Sequence, residues 1–248
     1  MSIEWIAAEW PAPSGIVAGT TLRKGGASAG AYASLNLAAH VGDAENAVRE
    51  NRRRFTAACR LPAEPRWLAQ VHGTTVAEAE TCGTLPEADA IVAATPGAVC
   101  AVLTADCLPV LFTSEDGAEI GAAHAGWRGL GNGILEATLS RLATPPSHLM
   151  AWFGPAISQG AFEVGDEVRA FFLERDPEAA AGFTPNDRGR WHADLYFLAA
   201  LRLRRAGLTR IYGGGRCTFG EPEAFFSYRR DGGCGRMATF VFRSAISA

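Results

Sequence analysis

The chain has 248 residues, a formal net charge of -3 and a pI near 6.0, with 48% hydrophobic and 20% charged residues. This composition is typical of a soluble globular protein and excludes fibrous and strongly disordered classes. No apolar run reaches the roughly 18 residues of a membrane span, and the balanced charge favours neither nucleic acid nor an anionic membrane as a partner. Glu4 and Glu9, with no basic cluster, make the first ten residues unlike a signal peptide.

The six cysteines form no Cys-x-x-Cys pair. Disulfide frameworks are typical of much shorter secreted chains, so we expect free thiols in a reducing cytoplasm. Neither a repeat nor a linker interrupts the sequence. A single domain over residues 1–248 is therefore predicted.

The N-terminal part predicts a strand over 15–22, a Gly-rich loop and a long helix capped by Asp43 and ending near Cys59. The apolar residues of this helix share one face, and Asn51 is the polar exception on it. Arg52 follows and could grip phosphate or carboxylate, although a solvated helix face is the more ordinary interpretation. Arg23, beside the Gly-rich turn, could likewise help to bind an anion.

The remaining elements alternate between short strands and helices. Strands are predicted over 67–71, 90–94, 99–103, 110–112, 120–123, 150–153, 209–212 and 239–242. Helices are predicted over 129–143, 164–173 and from Asp194 to Gly207. Hairpin signals such as Glu115-Asp116-Gly117 occur among the strands. The pattern indicates an α/β or α+β sandwich, a mixed sheet with flanking helices, rather than a regular βαβ repeat.

His72, Cys107 and His124 each lie where a predicted strand gives way to Gly or Pro. Two imidazoles and a thiolate suit zinc, and three protein ligands leave a fourth position open for catalysis. Two alternatives stay open: a cysteine in an apolar run is often a small core residue, and Cys107 could be a nucleophile with a histidine as its base. The chain has only 5 histidines and 3 methionines, too few for a multicopper centre, so the ligand count argues against one.

Arg230 stands beside Asp231 after an aromatic pair, and it could line a ligand cleft or form a structural salt bridge. Phe225, Phe226 and Trp127 offer ring surface that would suit a flat heterocycle, or they could simply pack in the core.

The motifs together resemble the YfiH/laccase-domain family, long labelled multicopper polyphenol oxidases and later described as purine nucleoside phosphorylases. The strongest stretches are Leu103-Thr104-Ala105-Asp106-Cys107-Leu108-Pro109-Val110 and His124-Ala125-Gly126-Trp127-Arg128-Gly129. Further matches are Ser34-Leu35-Asn36-Leu37, His40-Val41-Gly42-Asp43, Glu50-Asn51-Arg52, Gln70-Val71-His72-Gly73 and Phe226-Ser227-Tyr228-Arg229-Arg230. The likeness covers about residues 15–243.

The resemblance implies one zinc ion on His72, Cys107 and His124, and a layered fold similar to the cytotoxic necrotizing factor catalytic domain. It implies phosphorolysis of adenosine, inosine, guanosine and methylthioadenosine, together with deamination of adenosine. Some bacterial relatives are instead described as peptidoglycan editing factors.

We therefore predict a zinc-dependent purine nucleoside phosphorylase with adenosine deaminase activity, acting as a cytoplasmic monomer on a nucleoside and inorganic phosphate. Its substrate contacts are expected among Arg52, Asn51, Arg23, Arg230 and Asn36. The alternatives are an amidase or cysteine hydrolase that acts on UDP-muropeptide precursors, and a metal-binding protein with a vestigial pocket.

Overall fold

A computed structural model describes residues 3–244 of the chain, so the ends of the predicted 1–248 domain lie outside the described residues. The strands are β1 (Trp5–Ala7), β2 (Ile16–Thr21), β3 (Val76–Glu78), β4 (Ala90–Ala93), β5 (Val99–Thr104), β6 (Leu108–Ser114), β7 (Ile120–Ala125), β8 (Leu149–Phe153), β9 (Glu163–Val164), β10 (Phe183–Pro185), β11 (Trp191–Ala193), β12 (Arg210–Gly213) and β13 (Met237–Arg243). The α-helices are α1 (Glu45–Ala58), α2 (Trp127–Asn132), α3 (Ile134–Leu139), α4 (Asp166–Leu173), α5 (Leu195–Arg205) and α6 (Tyr228–Asp231).

Two sheets form the centre of the fold. A six-stranded mixed sheet has the order β12-β8-β6-β7-β4-β3, and a four-stranded antiparallel sheet has the order β1-β2-β13-β5. Strands β5 and β13 pack across β7, while α2 and α3 cover the other face of the larger sheet. A small antiparallel sheet, β10-β11-β9, lies to one side. The predicted α/β sandwich of mixed sheet and flanking helices is confirmed.

The apolar runs of the central strands are explained by burial on both faces. In β6, Val110 and Phe112 pack in the cluster shared with the helices, whereas Leu111 packs in the cluster between the sheets. In β13, Val241 points between the sheets, and Phe240 packs with Phe55 of α1 in a third cluster. A strand covered on both sides becomes a continuous apolar run, because alternate side chains enter different cores.

Several predicted boundaries are wrong for local reasons. The helix over 129–143 is broken at Gly133, whose φ of +104° ends α2 and starts α3. Residues 67–71 form no strand beyond an isolated bridge at Ala69, and the segment 164–173 begins in β9 before α4. Asp43 does not cap α1; Ala44 is the N-cap, and the Asp43 carboxylate accepts hydrogen bonds from other segments.

None of the described helices is both long and apolar enough to cross a bilayer.

Candidate metal centre and its cavity

His72, Cys107 and His124 converge at one end of the larger sheet, with ligand atoms all within 4.8 Å of one another. The antiparallel register of β6 and β7 pairs Leu108 with Ala125, which brings the residue before β6 next to the last residues of β7. His72 reaches the same point from the loop before β3, and its Nε2 lies 3.9 Å from Cys107 Sγ. The structure therefore brings together the three residues that the sequence predicts as ligands, in a group that could hold a metal ion.

Backbone conformation holds the ligands close. His72 and Asp106 have φ values of +62° and +91°, a region that non-glycine residues enter mainly in constrained turns and functional sites. At Gly126, a Cβ atom would lie 2.9 Å from the His72 ring and 3.0 Å from Cys107 Sγ. A glycine is therefore required for the chain to pass beside two of the ligands.

Asp89 holds both histidines in place, and it is a site residue that the sequence analysis missed, as are the cavity arginines described below. Its fully buried carboxylate accepts hydrogen bonds from His72 N at 2.9 Å and His124 Nδ1 at 2.8 Å through Oδ1. Its Oδ2 accepts from Gly73 N at 2.6 Å and Val71 N at 3.2 Å. With Nδ1 donating to a carboxylate, His124 keeps Nε2 free for a metal, as in carboxylate–histidine–metal sites. A charged residue inside the apolar run 88–93 is the signal that could have found it.

The charges of the three residues depend on one another. Burial alone would raise the pKa of the Cys107 thiol, but His124 and then His72 outweigh it and bring the pKa to about 6. Burial likewise disfavours a charged His124, yet the Cys107 thiolate and the Asp89 carboxylate raise its pKa to about 9. Both shifts favour a thiolate beside an imidazolium in the metal-free site; a divalent cation would bind the thiolate and take the place of the His124 proton.

These ligands line a cavity of about 530 Å³. Trp127 and Phe162 supply ring surface, and Arg128, Arg229 and Arg236 supply positive charge; none of these arginines forms an ion pair with a carboxylate of the described residues. The carboxylate that lines the cavity, Asp106, already accepts hydrogen bonds from Thr218 Oγ1 and Arg229 N, each at 2.6 Å. The cavity therefore favours a ligand with a flat ring and a negative charge.

The arginines predicted to bind substrate lie elsewhere. Arg52 stacks on Trp67 and donates to a backbone carbonyl, and Arg23 donates to the carbonyls of Ala33 and Pro222. Arg230 donates to the carbonyls of residues 218, 219 and 225 and pairs with Asp231. None of these three arginines lines the cavity, because each guanidinium is hydrogen-bonded to backbone carbonyl groups elsewhere.

Asn36 and Asn51 are fully buried and do not reach the cavity either. Phe225 and Phe226 are core residues, which leaves Trp127 as the predicted ring that lines it. The prediction that the two asparagines contact substrate gains no support from this placement.

Residues 17–244 match the family described as multi-copper polyphenol oxidoreductase laccase. The chain is 51% identical over 239 residues to the Escherichia coli protein named purine nucleoside phosphorylase YfiH, covering 96% of this chain and 98% of that protein. It superposes on a crystal structure of a Neisseria meningitidis protein with a TM-score of 0.94, at 48% identity, covering 97% of this chain and 99% of that one. The YlmD crystal structure from Geobacillus stearothermophilus gives a TM-score of 0.86 at 33% identity, covering 97% of this chain and 96% of that one.

Proposed function

Since the chain belongs to the multi-copper polyphenol oxidoreductase laccase family, the resemblance seen in its sequence being confirmed, we propose that it is a zinc-dependent purine nucleoside phosphorylase. Relatives that carry the name purine nucleoside phosphorylase match nearly the whole chain. The observation that carries the proposal is the cavity itself, where a group of two histidines and one cysteine adjoins ring surface and three arginines that have no carboxylate partner within residues 3–244.

The donor set supports zinc. Imidazole nitrogen and thiolate sulfur are the ligands that zinc prefers, and three protein ligands leave one coordination position facing the cavity. When bound there, zinc would supply a Lewis acid and lower the pKa of a water molecule. Multicopper chemistry is not proposed, because the described residues offer one group of three or more metal-ligating side chains, and a trinuclear copper cluster needs many more imidazoles.

Phosphorolysis of a nucleoside requires residues that bind the base and residues that bind the phosphate. An oxygen of inorganic phosphate forms a bond to C1′ of the ribose while the bond from C1′ to the purine nitrogen breaks, and its electron pair leaves with the base, which takes up a proton. The products are ribose 1-phosphate and the free purine. In this proposal Trp127 and Phe162 bind the planar base, and the cavity arginines hold the phosphate dianion near C1′.

Deamination of adenosine to inosine and ammonia belongs to the same proposal, since a polarised water could attack C6 of the purine. A second candidate function is an amidase acting on a UDP-muropeptide precursor. The observation in its favour is Cys107, whose pKa of about 6, beside two histidines and facing a cavity, suits a nucleophile.

The test uses metal-defined protein incubated with inosine or adenosine, with and without phosphate. We expect phosphate-dependent release of purine and ribose 1-phosphate, which Cys107→Ala abolishes. Cys82→Ala is the matched control, because Cys82 is a free, partly exposed thiol that does not line the cavity. Release of an amino acid from a UDP-muropeptide, with nucleosides untouched, would favour the amidase. Inertness of the folded protein to both substrates would favour a vestigial site.

A further inference from the structure

A buried polar network joins the sequence motifs that the proposed function does not use. Asn51 Nδ2 donates to Ser28 Oγ and to the Asn36 carbonyl, both at 2.8 Å, while its Oδ1 accepts from Ala27 N at 2.6 Å. Ser28 Oγ and Asn36 Nδ2 donate in turn to Asp43 Oδ2, at 2.6 and 2.9 Å. These groups satisfy one another inside the protein, so the network fixes backbone segments and is not itself a binding surface.

The network fixes the backbone of Arg236. Asn36 Oδ1 accepts from Arg236 N at 3.0 Å, and the Arg236 carbonyl accepts from Leu37 N at 3.3 Å. The preceding residue, Gly235, passes so close that a Cβ atom would lie 2.6 Å from the Phe226 ring and 2.9 Å from Asn36 Cβ. The backbone of Arg236 is therefore held from both sides.

The side chain of Arg236 is half-buried and lines the cavity that also contains His72, Cys107 and His124. Its Nη1 donates to the carbonyls of Cys234 and Gly235, at 2.7 and 3.1 Å, whereas its Nε and Nη2 have no acceptor among the described residues. Its guanidinium lies 5.7 Å from the centre of the Tyr228 ring, at the exposed side of the cavity. Two fixed donors with a full positive charge thus remain for a ligand.

Two neighbouring side chains, those of His40 and Thr104, add uncharged hydrogen-bond donors that also suit an anionic ligand. His40 lines the cavity near Arg236; burial and then the charges of Arg236 and Arg52 lower its pKa, which favours a neutral imidazole that can donate one N–H to an anion. Thr104 pairs with Met237, the residue after Arg236, and also lines the cavity; its buried hydroxyl has no hydrogen-bond partner in the part of the chain that the structure describes.

The other two cavity arginines are placed differently. Arg128 is exposed and stacks on Trp127, with 4.4 Å between its guanidinium and the ring centre. Arg229 lies 5.2 Å from the Phe162 ring centre and donates to the Glu163 carbonyl. Both therefore lie against the rings assigned to the base, whereas Arg236 lies at the exposed Tyr228 side of the cavity, with its backbone fixed by Asn36 and the His40 imidazole near it.

We propose that Arg236 and His40 form the phosphate subsite of the cavity, and that Asn36 is a positioning residue which fixes Arg236 there. The identification of the ligand as inorganic phosphate rests on the proposed function. The same donors would also bind the phosphate groups of a nucleotide-linked substrate, so the experiment contains an arm for each source.

The first arm measures initial rates of the zinc-loaded enzyme with inosine and phosphate varied separately. Arg236→Gln removes the charge and the fork of donors, and we expect the KM for phosphate to rise roughly 10- to 100-fold while the KM for inosine stays within about twofold. Asn36→Ala should raise the phosphate KM in the same selective way with zinc content unchanged; should it fold poorly, Arg236→Lys, which keeps the charge without the fork, should give an intermediate rise.

The control is Arg204→Gln, which removes one exposed arginine near the end of α5, outside the cavity, and should leave both KM values unchanged. An unchanged phosphate KM in Arg236→Gln, or an equal rise in both KM values, would overturn the proposal. The second arm titrates the zinc-loaded proteins with inorganic phosphate and with UDP. If the wild type shows no phosphorolysis, the proposed function fails, and the subsite stands only if Arg236→Gln weakens one of these titrations at least tenfold.

Discussion

Asp89→Asn is the substitution that most directly tests how the metal ligands are held. The Asp89 carboxylate accepts four N–H donors, two on each oxygen, from the loop that carries His72 and from His124. An asparagine has one acceptor oxygen, so in either orientation two of the four donors, of which His124 Nδ1 is buried and the other three are part-buried, face an NH₂ group. A fully buried donor left without an acceptor costs about 1–3 kcal/mol and a part-buried one costs less, which predicts a destabilisation of at most roughly 2–6 kcal/mol.

The same substitution should weaken zinc binding, because both histidines lose their orientation and His124 loses the carboxylate that raises its basicity. Loss of such an outer partner typically lowers metal affinity about 10- to 100-fold. A competition titration against a chromophoric chelator gives the zinc Kd, and urea unfolding of the metal-free protein gives the free energy of unfolding. The matched control is Asp116→Asn, whose exposed side chain uses only Oδ1 as an acceptor, so the amide can replace it. Wild-type zinc affinity in Asp89→Asn would refute the reasoning.

Three further predictions concern the same centre. Gly126→Ala should reduce zinc affinity at least tenfold with little change in the free energy of unfolding, because the added Cβ would displace the His72 ring and Cys107 Sγ rather than core atoms. An unchanged zinc Kd would contradict the close approach of the Gly126 backbone to these two side chains. His72→Ala should lose zinc yet stay folded by circular dichroism, since the core lies between the layers; melting of the fold by a chelator would show a structural site. Zinc affinity should rise by roughly tenfold per pH unit between pH 6 and 9, because His124, with a pKa of about 9, must release its proton to bind the metal. Below about pH 6 the affinity should fall more steeply with decreasing pH, because Cys107 is then protonated as well. A zinc affinity that does not change with pH in chelator competition would refute this.

The buried strands and the long helix α1 were predicted well from the sequence, whereas the segments that connect the elements were predicted poorly. The buried strands and α1 were recognisable because their side-chain periodicity reports burial directly. The segment 67–71 was misinterpreted as a strand because its apolar residues resemble one locally, although the chain there is held by hydrogen bonds to Pro86 and to the Asp89 carboxylate. The break at Gly133 was missed because nothing in a local window distinguishes a tolerated glycine from one with a positive φ.

The sequence by itself identified His72, Cys107 and His124 as candidate metal ligands, and it offered too few imidazoles for a copper cluster. Only the tertiary structure decided what surrounds them. Asp89 acts on residues 17 and 35 positions away, and the predicted cations Arg23, Arg52 and Arg230 are bound to nearby carbonyls while Arg128, Arg229 and Arg236 line the cavity. The destination of a long arginine side chain depends on which distant segments pack beside it, and a one-dimensional pattern carries no record of that packing.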